Sequence, residues 1–184
     1  MDIEPELSGK ISTTARLTKE QVSMINTAVK LGYFQSKPRF VLDAMRDLDV
    51  RMTKDLLNLI PEILSRYDHP LDRYDALKSA MMKIYLDNSG YKENRTGKPT
   101  ELINLVFPKS FYAIGAANAK LYLDIDNLQD WVDLAIYFKL REFAQYILDS
   151  QKVTKIMKDE LGKSTEKVSE DDVLDILKKT GYLK

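Results

Sequence analysis

A short stretch near the N-terminus has the pattern of a β-strand but no neighbouring strand to pair with. Residues 11–17 read Ile-Ser-Thr-Thr-Ala-Arg-Leu, and their apolar and polar side chains alternate with a period of two. One face is mostly apolar, while the other presents Ser12, Thr14 and Arg16. A strand on its own leaves its backbone N–H and C=O groups unpaired. The segment therefore requires a partner strand, either from a second chain or from elsewhere in this one.

Two short amphipathic helices are predicted after the strand. Thr18 and Gln21 have the spacing of a capping box, and Gly32 suits a helix C-terminus. Ser36 is the predicted N-cap of the second helix, and Pro38 lies in its first turn, where a missing N–H costs little. The apolar stripe of this helix consists of Phe40, Val41, Ala44, Met45 and Leu48. Fewer than about 50 residues make a poor core, so the helices also need a second copy of the unit.

Residues 10–50 resemble the ribbon-helix-helix family of bacterial and archaeal repressors and antitoxins. The resemblance rests on Thr-Ala-Arg-Leu-Thr at 14–18, on Gly32, and on Ser-Lys-Pro-Arg-Phe-Val-Leu-Asp-Ala-Met at 36–45, which is similar to the family's second-helix signature. Pro38 departs from the family, because it occupies a position usually held by a residue with an N–H. The resemblance implies a mostly α fold with a short β-ribbon, in which ribbon-helix-helix units are joined to additional helices.

The resemblance also implies a way of binding DNA. Two paired strands enter the major groove as an antiparallel ribbon, and the outward side chains Ser12, Thr14 and Arg16 would read base edges. Arg16 suits the O6 and N7 atoms of guanine. The implied function is sequence-specific binding to double-stranded DNA as a transcriptional regulator. The alternative is an assembly or partner-binding protein, including an antitoxin-like one, that uses the fold for oligomerisation.

Phosphate contacts are implied at the start of the second helix, where free N–H groups and the positive end of the helix dipole favour an anion. The residues expected there are Lys10, Ser36, Lys37 and Arg39. The whole chain has a net charge of +0, but residues 10–51 carry eight basic and four acidic side chains. Residues 1–9 form an acidic tail with three carboxylates and no base. The positive charge is therefore local to the proposed DNA-binding unit.

Residues 100–140 repeat the order of strand, helix and helix. Residues 102–107 are a strand candidate, a helical stripe follows, and Asp126 or Asn127 would cap a further helix. The strand has two possible registers, whose outward residues are Leu102, Asn104 and Val106 or, alternatively, Glu101, Ile103 and Leu105. Neither set contains Lys or Arg. A largely apolar outward face suits contact with protein better than contact with DNA.

Two pairings of the strands follow from this repeat. The two units could pair within one chain, or like units could pair between chains. We expect a homodimer through residues 11–17, or a higher oligomer, because an apolar strand beside the first strand would read DNA poorly. The predicted divisions are a tail (1–9), a DNA-binding unit (10–52), a helical connector and loop (53–99), a degenerate second unit (100–145) and C-terminal helices (146–184). The C-terminal half is a possible binding surface for a protein partner.

Other classes of function are disfavoured by composition. Cysteine is absent and His69 is the only histidine, which excludes disulfides and thiolate catalysis and nearly excludes histidine-based metal sites. No set of nucleophile, base and orienting residue is recognisable, so we expect no enzyme activity, no cofactor and no metal. No apolar run approaches the roughly 20 residues that span a bilayer, and the acidic start is unlike a signal peptide. These features predict a cytoplasmic protein without a membrane partner.

Overall fold

The computed structural model describes residues 9–91 and 99–161, with side chains described for residues 9–91 and 101–151. Residues 1–8 of the predicted tail and residues 162–184 of the predicted C-terminal helices lie outside these ranges. Within these ranges the chain is mostly α-helical with one two-stranded antiparallel sheet, as the sequence predicts. In chain order the elements are β1 (Lys10–Thr18), α1 (Lys19–Lys30), α2 (Lys37–Arg66), α3 (Pro70–Met82), a π-helical turn (Lys83–Asp87), β2 (Pro99–Pro108), α4 (Lys109–Leu123) and α5 (Leu128–Leu161).

The partner of β1 is β2 of the same chain. The register joins Ser12 to Val106, Thr14 to Asn104 and Arg16 to Leu102. This arrangement differs from our prediction that residues 11–17 pair with their counterpart in a second chain. Pairing within the chain buries the apolar faces of both strands against one core and requires no loss of translational freedom by a second molecule. The predicted homodimer or higher oligomer of the chain stays a prediction.

The order β2, α4 and α5 in the second half of the described chain repeats the order β1, α1 and α2 of the first. Lys19 and Lys109, the first residues of α1 and α4, are 90 positions apart. Thr14 and Asn104 are also 90 positions apart, and they pair with each other at the middle of the ribbon. In the ribbon, equivalent residues of the two units therefore meet as they would across a twofold axis.

The core lies under the ribbon and between the long helices α2 and α5. The inward residues Ala15, Leu17 and Leu105 are fully buried, so the predicted apolar face of residues 11–17 is correct at its C-terminal end. The predicted stripe of α2 is also buried, at 0–2% exposure, and consists of Phe40, Val41, Ala44, Met45 and Leu48. From the second unit, α5 contributes Trp131, Val132, Leu134, Ala135 and Ile136. None of the described helices is long and apolar enough to cross a membrane.

The predicted signals that begin α1 and α2, and the predicted glycine that follows α1, are present in the structure. The Thr18 hydroxyl accepts from the Gln21 N–H at 3.2 Å, and the Gln21 side chain accepts from the Thr18 N–H at 2.8 Å, which completes the capping box. Ser36 caps α2 by accepting from the Arg39 N–H at 3.3 Å. Gly32 has a φ of 80°, a conformation that favours glycine just after a helix.

The length of α2 was predicted wrongly. The predicted divisions end the DNA-binding unit at residue 52 and begin a helical connector at residue 53, but α2 is continuous from Lys37 to Arg66. Residues 49–53 contain neither Gly nor Pro, and Met52 is buried in the core, so the helix has no reason to stop there. Pro61 lies inside α2 without ending it. The predicted boundary between residues 52 and 53 therefore falls within one helix.

Pairing within one chain makes stability independent of protein concentration. A ribbon built from two chains unfolds with a midpoint that rises with concentration by mass action. For this chain we expect the thermal midpoint to stay constant over a roughly 100-fold range of concentration, as followed by circular dichroism. A midpoint that rises steadily with concentration would instead show that folding is coupled to association between chains.

Gly115 allows α4 to pack closely against α5. A Cβ at this position would overlap the ring of Trp131, which is 2% exposed. Gly115→Ala should gain about 1 kcal/mol in helix propensity but lose about 1–3 kcal/mol through overpacking, so we expect a net loss of stability. Because Trp131 is the only tryptophan, its fluorescence emission should also shift.

The matched control for this test is Ala113→Gly, at an exposed position of the same helix. It should cost about 1 kcal/mol by helix propensity alone and leave the tryptophan emission unchanged. If Gly115→Ala were more stable than the parent chain with the same emission, the close packing of α4 on Trp131 would be wrong.

Candidate nucleic-acid interface

The ribbon has one face turned toward solvent, which we call the ribbon face. All of its side chains are exposed, and they are Lys10, Ser12, Thr14, Arg16, Leu102, Asn104 and Val106. Side chains alternate between the two sides of a strand, so the same register that buries Leu17 and Leu105 exposes these residues. Of the two registers left open for the second strand, the structure has the one that exposes Leu102, Asn104 and Val106.

The two strands give the ribbon face different chemistry. From β1 come two hydroxyls and two cations, whereas β2 contributes one amide between two aliphatic side chains. Leu102 is 65% exposed and Val106 is 50% exposed. Singly exposed apolar side chains are normal on protein surfaces, and Leu57 and Leu71 of this chain are exposed to a similar degree.

Arg16 and Lys10 are the cations of the ribbon face, and neither forms an ion pair with another described residue. An unpaired guanidinium on an outward strand position keeps its five donors available in a planar fork. The Arg16 backbone, in contrast, is held firmly. Its N–H donates to the Gln129 side chain at 2.8 Å, and its C=O accepts from the same side chain at 2.7 Å.

Gln129 joins the start of α5 to the free edge of β1. Its amide also donates to Asp133 at 3.0 Å, and Asp133 accepts from Gln21 of α1 at 3.3 Å. The sequence did not reveal the role of Gln129, because its hydrogen bonds to the Arg16 backbone connect positions 113 apart. No periodicity in the sequence indicates such a contact. The result is that the backbone at Arg16 is held by two hydrogen bonds while its side chain is exposed to solvent.

The start of α2 lies beside the ribbon, because Lys37 forms an ion pair with Glu101 of β2. Arg39 bonds Asp43 at 2.9 Å, and Asp43 also lies 3.7 Å from Arg46. Two of the predicted phosphate-binding residues are therefore already paired within the chain. Both are partly exposed, so these pairs are weak in water and a phosphate could replace the carboxylates.

The start of α5 has the opposite charge. Asn127 is the cap, since its side chain accepts from the Asp130 N–H at 2.8 Å and donates to the Asp130 carboxylate at 2.9 Å. Asp126 lies beside it and pairs with Lys120 at 3.1 Å. Carboxylates at a helix N-terminus satisfy its dipole and repel a phosphate. Of these two helix starts, that of α2 has the residue types that suit a DNA backbone.

A charged groove of about 490 Å³ lies away from the ribbon, between α2, the π-helical turn and α5. The Tyr85 hydroxyl donates to Asp55 at 2.7 Å, and burial together with this hydrogen bond raises the pKa of Tyr85 well above its ordinary value. Arg51 pairs with Glu142 and lies over the ring of Phe138. The polar and charged groups of this groove pair with one another, and the Arg51–Glu142 ion pair joins the two long helices α2 and α5. Their role is structural.

Comparisons of this chain with family models, with curated proteins and with solved structures find no match. The function must therefore be argued from the geometry of the ribbon and from the resemblance of residues 10–50.

Removing the Gln129 side chain should loosen the edge of β1. Gln129→Ala deletes both hydrogen bonds to the Arg16 backbone, each worth about 0.5–1.5 kcal/mol. We expect the Arg16 amide to exchange with solvent roughly 10-fold faster or more, as measured by hydrogen exchange with NMR detection.

Gln145→Ala is the control, because Gln145 lies on the same helix and bonds only Asp149 in the described structure. It should leave the Arg16 amide unchanged. Equal exchange rates at Arg16 in the parent chain and in Gln129→Ala would contradict the role given to Gln129.

Proposed function

We propose that this chain is a sequence-specific double-stranded DNA-binding protein, a transcriptional regulator of the ribbon-helix-helix type, whose own two strands form the ribbon that enters the major groove. The observation that carries the proposal is the exposed ribbon face, on which Arg16 of β1 forms no ion pair with another described residue. A two-stranded ribbon fits a major groove about 12 Å wide. The outward side chains would then lie against base edges.

The residue types on the ribbon face match the groups that bases present. Arg16 can donate two hydrogen bonds to guanine O6 and N7, and Asn104 can pair with adenine N6 and N7. Ser12 and Thr14 can serve as donor or acceptor toward either base type. The sequence predicts base-reading residues on β1 alone. Because Asn104 of β2 pairs with Thr14, we add Asn104 to the proposed base-reading residues.

The backbone of the duplex would be held from one side. Ser36, Lys37 and Arg39 at the start of α2, with Lys10 on β1, form the candidate phosphate contacts. Three cations imply a slope of about −3 in the dependence of log affinity on log salt concentration. Such a modest electrostatic contribution agrees with a chain whose net charge is +0, and it makes base contacts the larger part of specific affinity.

The decisive variant is Arg16→Ala. It should weaken binding to the preferred duplex by about 1–3 kcal/mol and relax the choice of base at one position. The measurement is fluorescence anisotropy with a preferred duplex, which would first be selected from a random pool. Sequence-selective binding that survives in this variant would contradict the assignment of Arg16.

Two control variants separate base reading from charge. Arg66→Ala removes an exposed arginine at the last residue of α2, where it pairs with Glu62, and it should leave DNA affinity unchanged. Lys10→Ala should weaken binding to all sequences alike and reduce the salt slope by about 1.

An assembly function is the second candidate, and the exposure of Leu102 and Val106 favours it. Aliphatic side chains on a sheet face are suited to contact with protein. Under this reading the chain would shift no duplex even at low salt and would form stable oligomers, and Leu102→Asp would dissociate them. Binding of any duplex with a salt-dependent affinity would favour the regulator instead.

A further inference from the structure

A ribbon made by one chain need not read both halves of its site in the same way. We propose, resting on the proposed function, that the DNA site is asymmetric, with a guanine required under the Arg16 end of the ribbon and a thymine methyl group contacted under the Val106 end. The juxtaposition that carries this inference is the antiparallel pairing of two unlike strands on one exposed face.

Equivalent positions of the two units differ in chemistry on the ribbon face. A shift of 90 positions relates Ser12 to Leu102, Thr14 to Asn104 and Arg16 to Val106. In a homodimer each of these pairs would be one residue type, and the twofold symmetry of the protein would demand a palindromic site. Here the position equivalent to the arginine holds a valine, so the two ends of the ribbon cannot prefer the same base.

The register fixes which side chains act together. Arg16 pairs with Leu102 at one end, and Ser12 pairs with Val106 at the other. The first end combines a guanidinium for guanine with an aliphatic group, while the second offers a hydroxyl and an aliphatic group. Aliphatic side chains in the major groove recognise the C5 methyl group of thymine. The middle pair, Thr14 with Asn104, offers the amide that suits adenine.

The helix starts of the two units, at α2 and α5, also differ in charge. The start of α2 carries Lys37 and Arg39, and the start of α5 carries Asp126 and Asp130. A site repeated symmetrically about the ribbon would bring a phosphate toward those carboxylates. The backbone contacts therefore favour a single orientation of the chain on the duplex, as the base contacts do.

The test begins with selection of duplexes from a random pool by the full chain. We expect a non-palindromic consensus with guanine at one end only. Two further duplexes would each repeat one half of the consensus as an inverted repeat, and both should bind at least about 5-fold more weakly than the selected site. Equal or tighter binding of a palindromic duplex would overturn the inference while leaving the proposed function intact.

The methyl contact can be tested with the unaltered protein by replacing thymine in the duplex with uracil, which lacks only the C5 methyl group. At the thymine under Val106 we expect about a fourfold loss of affinity, the value for one buried carbon, and no loss with Val106→Ala. Uracil that binds the unaltered chain as well as thymine at every position would overturn the methyl contact.

A gain-of-symmetry variant completes the experiment. Val106→Arg places an arginine at the position equivalent to Arg16, and because Val106 is half exposed the substitution should not disturb the core, as the emission of Trp131 would verify. This variant should prefer the palindrome that contains guanine at both ends by about 10-fold or more. An unchanged preference would contradict the inference. Failure of every duplex to bind the parent chain at low salt would overturn the proposed function itself.

Discussion

Pairing between β1 and β2 is the constraint on which the rest of the structure depends. Each strand alone would leave its backbone groups without partners, and each unit alone is too small to close a core. The pairing satisfies the backbone and aligns Leu17 and Leu105 on one side, where both are fully buried. The long helices α2 and α5 then pack against the apolar face of the ribbon. Gln129 forms hydrogen bonds with the Arg16 backbone at the edge of β1 that does not pair with β2.

The two faces of the ribbon are under different physical demands. The inner face must be apolar in both units, because both contribute to one core. The equivalent residues Leu17 and Phe107 are accordingly both apolar and buried. The outer face carries no such demand from folding, so its composition is free to differ between the strands. Arg16 and Val106 occupy equivalent positions with opposite chemistry, and the fold accepts both. The core therefore does not account for the differences on the outer face.

Local rules were enough to predict the features that depend on neighbouring residues. The capping box of Thr18, the cap at Ser36 and the buried stripe of α2 each follow from spacing within one or two turns. The partner of β1 did not follow, because strand alternation is the same whether the second strand belongs to this chain or to another. The register of β2 also stayed open, since Leu102 and Ile103 are both aliphatic and alternation alone cannot choose between them. Gln129 acts across 113 positions, beyond the reach of any local pattern.

Formation of the ribbon within one chain also changes what the protein can do if it binds DNA as proposed. A regulator that must dimerise first loses affinity at low concentration, because the binding-competent form is scarce there. In this chain the ribbon is present in every folded molecule, so occupancy of a single site would follow the first power of concentration. Fixed pairing also keeps Arg16 permanently opposite Leu102. One chain thus holds a single arrangement of outward side chains, which a mixture of exchanging protomers could not guarantee.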